Sequence, residues 1–156
     1  MRASTVTIKT EQDIEKLRIS GRLAAQVLEM IGPYIKAGVS TEYLDDICND
    51  YIVNTLQVIP ANVGYHGFTK TTCISVNEEV CHAIPSAKKI LQEGDILNID
   101  VAVIKDGYFG DTSRMYFVGE PSPEAKKLVE TTYDAMLAGI RTVRPGATLG
   151  DIGYAI

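Results

Sequence analysis

The sequence has no tryptophan, only two histidines and only three cysteines among its 156 residues. Cys48, Cys73 and Cys81 are odd in number and lack the regular spacing of a disulfide framework, which excludes a disulfide-rich secreted scaffold. We therefore expect reduced thiols and a cytoplasmic protein. No apolar run approaches the ~18 residues of a membrane-spanning helix, and the first residues form no apolar signal core, so we expect neither membrane insertion nor secretion.

Positive charge is also scarce. The 15 Lys and Arg residues are outnumbered by 20 Asp and Glu residues, which gives a formal net charge of −5. Such a chain lacks the basic surface that binds nucleic acid or anionic membranes, so neither is expected as a partner. The length suffices for one domain with a hydrophobic core.

What the sequence does contain is a series of clearly bounded helical and β-type segments. A helical apolar stripe follows the capping residue Thr10 and stops at Gly32-Pro33. Further helices are predicted to begin at Ser40, Ser122 and Thr148, each a capping residue ahead of an apolar stripe. Between them the sequence predicts a short strand and a loop at 57–72, strands at 73–77 and 80–84, a connection at 85–94 and a hairpin at 96–118.

The predicted hairpin carries the most informative pair of polar residues. Asp106-Gly107 lies between two β-branched runs and predicts a two-residue turn, in which both residues take positive φ. That turn places Ala102 opposite Asp111, and Asp100 on the same face as both. Asp is depleted in strands, so two carboxylates on one face suggest a cation between them; a solvent-exposed polar face is the alternative.

Two other segments are candidates for chemistry. His82 is a polar residue in the apolar run 80–84, where a structural histidine bonded to the backbone is the ordinary alternative to a catalytic one. Residues 64–68 place glycines around aromatic residues, which favours either a loop that folds over a ligand or an ordinary turn with aromatic anchors. Cys73 and Cys81 are expected by default to be small, buried apolar side chains.

A weak internal repeat is also present. Residues 36–40 (KAGVS) and 144–148 (RPGAT) share a basic residue, a glycine, a small aliphatic residue and a hydroxyl, each between two predicted helices. Ordinary helix-linker chemistry is one explanation. An internal duplication, with its second copy only begun, is the other.

Taken together, these segments resemble the first part of a type I, bacterial methionine aminopeptidase. The resemblance extends from about residue 8 to the end of the chain. It is carried by QDIEKLR at 12–18, GRLAA at 21–25, ICNDYIVN at 47–54, GYHGF at 64–68, CISVNEEVCHAIP at 73–85 and NIDVAVIKDGYFGDTSRMY at 98–116. It implies the first half of a pita-bread α/β (α+β) fold, in which helices cover an antiparallel sheet and two halves are pseudo-symmetric. The chain would then be a single catalytic-domain fragment, with a second half starting at about residue 122 and cut off at 156.

The resemblance also implies roles for individual residues. Asp100 and Asp111 match ligands of two divalent metal ions (Co, Mn, Fe or Zn), and His82 matches a catalytic histidine that contacts the substrate. Substrate-binding positions are matched by Tyr65, His66, Phe68 and Cys73. The implied activity is a metallo-exopeptidase that removes the N-terminal Met of nascent polypeptides, with the metals activating water and polarising the scissile carbonyl.

Several features depart from the family pattern. Ala83 replaces a usual glycine, Phe109 replaces a usual histidine, and Asn62 replaces a small or sulfur-bearing residue of the pocket. The family's other three metal ligands, a histidine and two glutamates, have no counterpart here, because His66 and His82 are the only histidines. The 156 residues alone are therefore expected to be inactive.

Two alternatives stay open. One is a non-catalytic fragment or dimerising binding protein, since the family enzyme would be a monomer at full length and this half would expose apolar surface. The other is an Xaa-Pro or creatinase-like peptidase of the same fold, although the pocket residues near Tyr65 and Cys73 favour the methionine type.

Overall fold

The structure is a computed structural model that describes residues 6–156. The chain divides into two compact units, one that ends at Gly119 and a second formed by Glu120–Ile156. The α-helices are α1 (Glu11–Ile31), α2 (Thr41–Asp50), α3 (Pro123–Thr142) and α4 (Leu149–Ala155), and the strands are β1 (Ile59–Pro60), β2 (Thr72–Val76), β3 (Ile96–Lys105) and β4 (Tyr108–Phe117). No helix among the described residues is long and apolar enough to cross a membrane.

The predicted helix starts are confirmed. Thr10 and Asp13 form a capping box at the start of α1, and Thr148 and Asp151 do the same at α4. Ser40 accepts the backbone N–H of Tyr43 at α2, and the Ser122 hydroxyl caps α3. These side chains satisfy N–H groups that have no partner inside their helices, which is why the chain enters a helix at each point.

The first unit is an antiparallel sheet covered by helix. β3 is central: β1 and β2 pair along one side of it and β4 along the other. α1 packs on β3 and β4, and its buried face of Ala24, Val27, Leu28 and Ile31 joins one cluster with the inner residues of β3. The α2 residues Leu44 and Cys48 complete this core. Since the core lies on one face of the sheet, the opposite face can carry a binding site.

The hairpin register agrees with the sequence prediction. Asp106 and Gly107 have φ angles of 52° and 82°, and Lys105 pairs with Tyr108. Ala102 therefore lies opposite Asp111 and Asp100 opposite Ser113. Because side chains alternate along a strand, Asp100 and Asp111 share a face of the sheet.

The strand predicted over residues 80–84 is wrong. The segment is irregular: Asn77 and His82 both have positive φ, at 55° and 59°. The N–H of Val76 is bonded to the Glu79 carboxylate, so β2 has no free donor there for a further strand. The strand predicted at 73–77 is confirmed with a one-residue shift, as Thr72–Val76.

In the second unit, α3 and α4 pack against each other. The linker before α4 resembles the linker before α2, since Gly38 and Gly146 both have φ of 89° and each lies two residues before a capping hydroxyl. The two linkers thus have the same local geometry at their glycines. An internal duplication stays a prediction.

One close backbone approach fixes α1 on the hairpin. A Cβ on Gly110 of β4 would lie 2.1 Å from the Ser20 carbonyl oxygen of α1. The buried Ser20 hydroxyl donates to the carbonyl of Tyr108 at 2.9 Å, next to that contact. Only glycine lets the helix lie this close to the strand that carries Asp111.

Replacing Gly110 by alanine should therefore destabilise the protein by about 3 kcal/mol, because backbone rather than a flexible side chain obstructs the added methyl group. Urea unfolding followed by circular dichroism measures this. Gly21→Ala is the matched control: it has open space around it in α1, and should stabilise by about 1 kcal/mol. Equal effects of the two variants would contradict the close approach.

A second link joins the start of α1 to the turn of the hairpin. The Tyr108 hydroxyl donates to the Asp13 carboxylate at 2.6 Å, and with the Thr10 cap it lowers the pKa of Asp13 to about 2. An acid whose pKa is lowered by folding stabilises the folded state above its unfolded pKa of ~4, and loses that contribution as pH falls towards 2.

Tyr108→Phe should raise the pKa of Asp13 and weaken the dependence of stability on pH between ~4 and 2. Carboxyl ¹³C NMR titration of Asp13 reads the pKa directly, and urea midpoints across the same range read the stability. Tyr154→Phe, at an exposed tyrosine of α4, serves as control. An unchanged Asp13 pKa in Tyr108→Phe would refute the link.

Candidate active site

One cavity of about 440 Å³ lies on the sheet face opposite α1. This size falls within the range of small-molecule sites. All seven residues predicted for the site line it, and so do three more. The full lining is Asn62, Tyr65, His66, Gly67, Phe68, Cys73, His82, Ile84, Asp100 and Asp111.

The two carboxylates come from the hairpin. Asp100 is half-buried on central β3 and Asp111 is exposed on β4, and both reach the same cavity. Burial raises the pKa of Asp100, and the negative charge of Asp111 raises it further, while His82 opposes the shift. A half-buried carboxylate whose charge is disfavoured by a second carboxylate forms a place where a cation is stabilised.

The thiol of Cys73 forms part of the wall. Cys73 pairs with Asp100 across β2 and β3 and is almost fully buried, as expected. The same expectation for Cys81 is wrong, because Cys81 is exposed in the irregular segment after β2. Burial, together with the negative charge of Asp100, raises its pKa to about 11. A thiol that stays protonated at neutral pH acts as an apolar surface rather than as a nucleophile.

β2 itself is held at its outer edge by a buried carboxylate. Asp45 of α2 accepts hydrogen bonds from the N–H and the hydroxyl of Thr72, both at 2.7 Å, and from the N–H of Thr71 at 3.3 Å. Burial raises the pKa of Asp45, and these bonds to the ionised form oppose the shift. The contact fixes the strand on which the cavity wall is built.

The loop at 64–68 lines part of the cavity. Its ends meet through the Gly64 N–H and the Phe68 carbonyl at 2.8 Å, and the rings of Tyr65 and His66 contact edge to face at 4.4 Å. Asn62, which precedes the loop, donates to the carbonyl of Thr71, the residue before β2, at 3.1 Å.

His82 reaches the cavity from the irregular segment that follows β2. Its φ of 59° is unusual for a residue with a side chain. The next residue, Ala83, is bonded to β2 through both its N–H and its carbonyl. The segment therefore runs along the outer edge of β2 without forming a strand.

The structure adds residues that sequence reasoning did not assign. Ile84 and Gly67 line the cavity, and both lie within two residues of predicted site residues, which is the signal that could have found them. Asn62, noted as a departure, is also part of the wall. Phe109 shares the face of Asp111 but does not line the cavity, and 58% of it is exposed.

The described part of the chain does not complete a set of metal ligands around the two carboxylates. Within residues 6–156 no group of three or more His, Cys, Asp or Glu side chains is arranged to hold a metal ion. Asp100 and Asp111 thus suit a hard divalent cation by their chemistry, but form only part of a coordination shell.

Comparison with known proteins gives close relatives. Methionine aminopeptidase of Escherichia coli K12 is 56% identical over 151 residues, and that of Haemophilus influenzae is 58% identical over 152. The match covers 97% of this chain and 57% of each relative. The chain therefore spans little more than half the length of these relatives.

Solved structures agree with this result. The crystal structure of methionine aminopeptidase from Rickettsia prowazekii matches with a TM-score of 0.94 at 51% identity, and covers 97% of this chain and 60% of its own. An Xaa-Pro dipeptidase from Bacillus anthracis matches with a TM-score of 0.81 at 22% identity, over 95% of this chain and 40% of its own, which shows the fold alone.

These comparisons confirm the predicted resemblance to the first half of a bacterial methionine aminopeptidase and the pita-bread fold class. The sequence profile of metallopeptidase family M24 matches residues 15–156, nearly the whole chain. With its fold, its carboxylate pair and these relatives, the chain belongs to metallopeptidase family M24.

Proposed function

We propose that the cavity is part of the active site of a metal-dependent aminopeptidase that removes the N-terminal Met of nascent polypeptides. The observation that carries the proposal is the convergence of all seven predicted residues, from four separate segments, on one cavity. The relatives at 56–58% identity are named methionine aminopeptidases, whereas the Xaa-Pro peptidases share the fold at 20–22% identity. The cytoplasm, where polypeptides are made, is the expected location.

Asp100 and Asp111 are the residues that would hold divalent metal. Burial and the negative charge of Asp111 both raise the pKa of Asp100, and a cation between the two carboxylates would offset both effects. When bound, two such ions would supply an activated water and polarise the scissile carbonyl. Cobalt, manganese, iron and zinc are the candidate metals.

The remaining residues position the substrate. The rings of Tyr65 and Phe68 and the protonated Cys73 thiol form an apolar wall that suits an unbranched thioether side chain. His82 reaches the same cavity, where its imidazole can donate a hydrogen bond to an oxygen that gains negative charge during peptide cleavage. His66 contacts the Tyr65 ring edge to face and supports it at the rim of the cavity.

A second candidate, a non-catalytic or dimerising binding protein, is favoured by one observation. The described residues offer two carboxylates and no group of three potential ligands, and two carboxylates bind divalent ions weakly. The two candidates differ in whether a polypeptide extended to the length of the relatives hydrolyses peptides.

The metal proposal predicts that Mn²⁺ selectively broadens the NMR signals of residues around the cavity, because a bound paramagnetic ion relaxes nearby nuclei. Asp100→Asn and Asp111→Asn should each weaken the apparent affinity by roughly tenfold or more. Asp134→Asn, in the second unit, is the charge-matched control. Broadening that is equal in all four proteins would show that the ion binds elsewhere.

The hydrolysis assay separates the two candidates. The 156-residue polypeptide should not release Met from Met-Ala-Ser with added cobalt or manganese, because its metal ligands are too few, whereas a polypeptide extended to the length of its relatives should. Turnover by the 156 residues that is abolished in Asp100→Ala would disprove the expected inactivity. An extended protein that binds metal and does not cleave the peptide would disprove the proposed function.

A further inference from the structure

His82 is held in a conformation that its own segment does not explain. The residue lies outside the strands, its side chain is exposed, and its φ of 59° belongs to the left-handed region. Residues with a side chain adopt that region mainly where surrounding contacts hold them there. The contacts that restrict the backbone of His82 are made by its neighbour in the chain.

Those contacts are made by Ala83, the next residue. The N–H of Ala83 donates to the Ser75 hydroxyl oxygen at 3.2 Å, and its carbonyl accepts from the N–H of Ile74 at 3.1 Å. Both partners belong to β2, whose residues are all buried. The direction of the Ala83 N–H is set by the ψ angle of His82, so anchoring this group restricts the backbone of His82.

Ser75 is well placed to be the fixed end of this contact. Ser75 is 4% exposed, and it pairs with Asn98 of β3, two positions along β2 from the pairing of Cys73 with Asp100 at the cavity. The same strand therefore carries the cavity wall and the hydroxyl that anchors the segment of His82. The bond from Ile74 is main chain to main chain and is available whatever the side chains, so the hydroxyl is the part of the anchor that depends on sequence.

We propose that Ser75 is a positioning residue, whose hydroxyl holds the imidazole of His82 at the cavity by accepting the N–H of Ala83. This inference rests on the proposed function, in which His82 donates a hydrogen bond to the substrate. Loss of the hydroxyl leaves the Ala83 N–H without its acceptor. The Ile74 bond still attaches the segment, so His82 should reorient while β2 stays in place.

The test is NMR spectroscopy of the whole isotope-labelled chain, which needs neither metal nor substrate. In Ser75→Ala, the coupling constants and chemical shifts of His82 should lose their left-handed signature, and the contacts of its imidazole with the cavity wall should weaken. Ser75→Thr, which keeps a hydroxyl, should restore both. Ser113→Ala is the control, because Ser113 of β4 accepts a hydrogen bond from Asn98 of β3 rather than from the His82 segment.

An unchanged His82 conformation in Ser75→Ala, with the strand signals of β2 also unchanged, would overturn the inference. If Ser75→Ala does not fold, Ser75→Cys replaces it, since it keeps nearly the same volume with a weak acceptor. An unaltered His82 conformation in Ser75→Cys would likewise overturn the inference.

Where the extended protein is active, Ser75→Ala should lower kcat by roughly tenfold with little change in KM. An unchanged kcat would also refute it, whereas absence of hydrolysis in every variant would count against the proposed function alone.

Discussion

The turn at Asp106 and Gly107 is the constraint on which the site depends. A two-residue turn with positive φ at both positions sets the pairing of β3 with β4 along their whole length. A shift of one residue in that pairing would move Asp111 to the face that packs against α1. The repulsion between Asp100 and Asp111 works against the hairpin, so local turn geometry and core packing on the other face must outweigh it.

The sequence was most informative where the structure is determined locally. The hairpin register follows from one Asp-Gly pair between β-branched runs, and each helix start follows from a hydroxyl side chain that meets its own backbone three residues later. The assignment of site residues came largely from resemblance. The shared face of Asp100 and Asp111, by contrast, follows from the alternation of side chains in the hairpin alone.

Long-range contacts between side chain and main chain were not predictable. Residues 80–84 have the apolar character of a strand, yet 91% of Val80 is exposed and His82 turns left-handed, because the segment is anchored to β2 through Ala83 rather than by a ladder. Nothing in the spacing of Ser75 indicates that contact. The need for glycine at position 110 is likewise set by a distant element, because the backbone of α1 occupies the space that a side chain would fill.

The two parts of the site have separate supports. The carboxylates lie on β3 and β4, which α1 fixes through the contact of Gly110 with Ser20. The cavity wall and His82 instead depend on β2: Asn62 is bonded to Thr71, Ala83 is bonded to Ile74 and Ser75, and Asp45 of α2 holds the strand. A change at Asp45 should therefore displace the wall and His82 together, while a change at Gly110 should displace the carboxylates. Since β2 pairs with β3 from Thr72 to Val76, this one ladder keeps the two parts of the cavity in register, and in the proposed function the alignment of substrate with metal would depend on it.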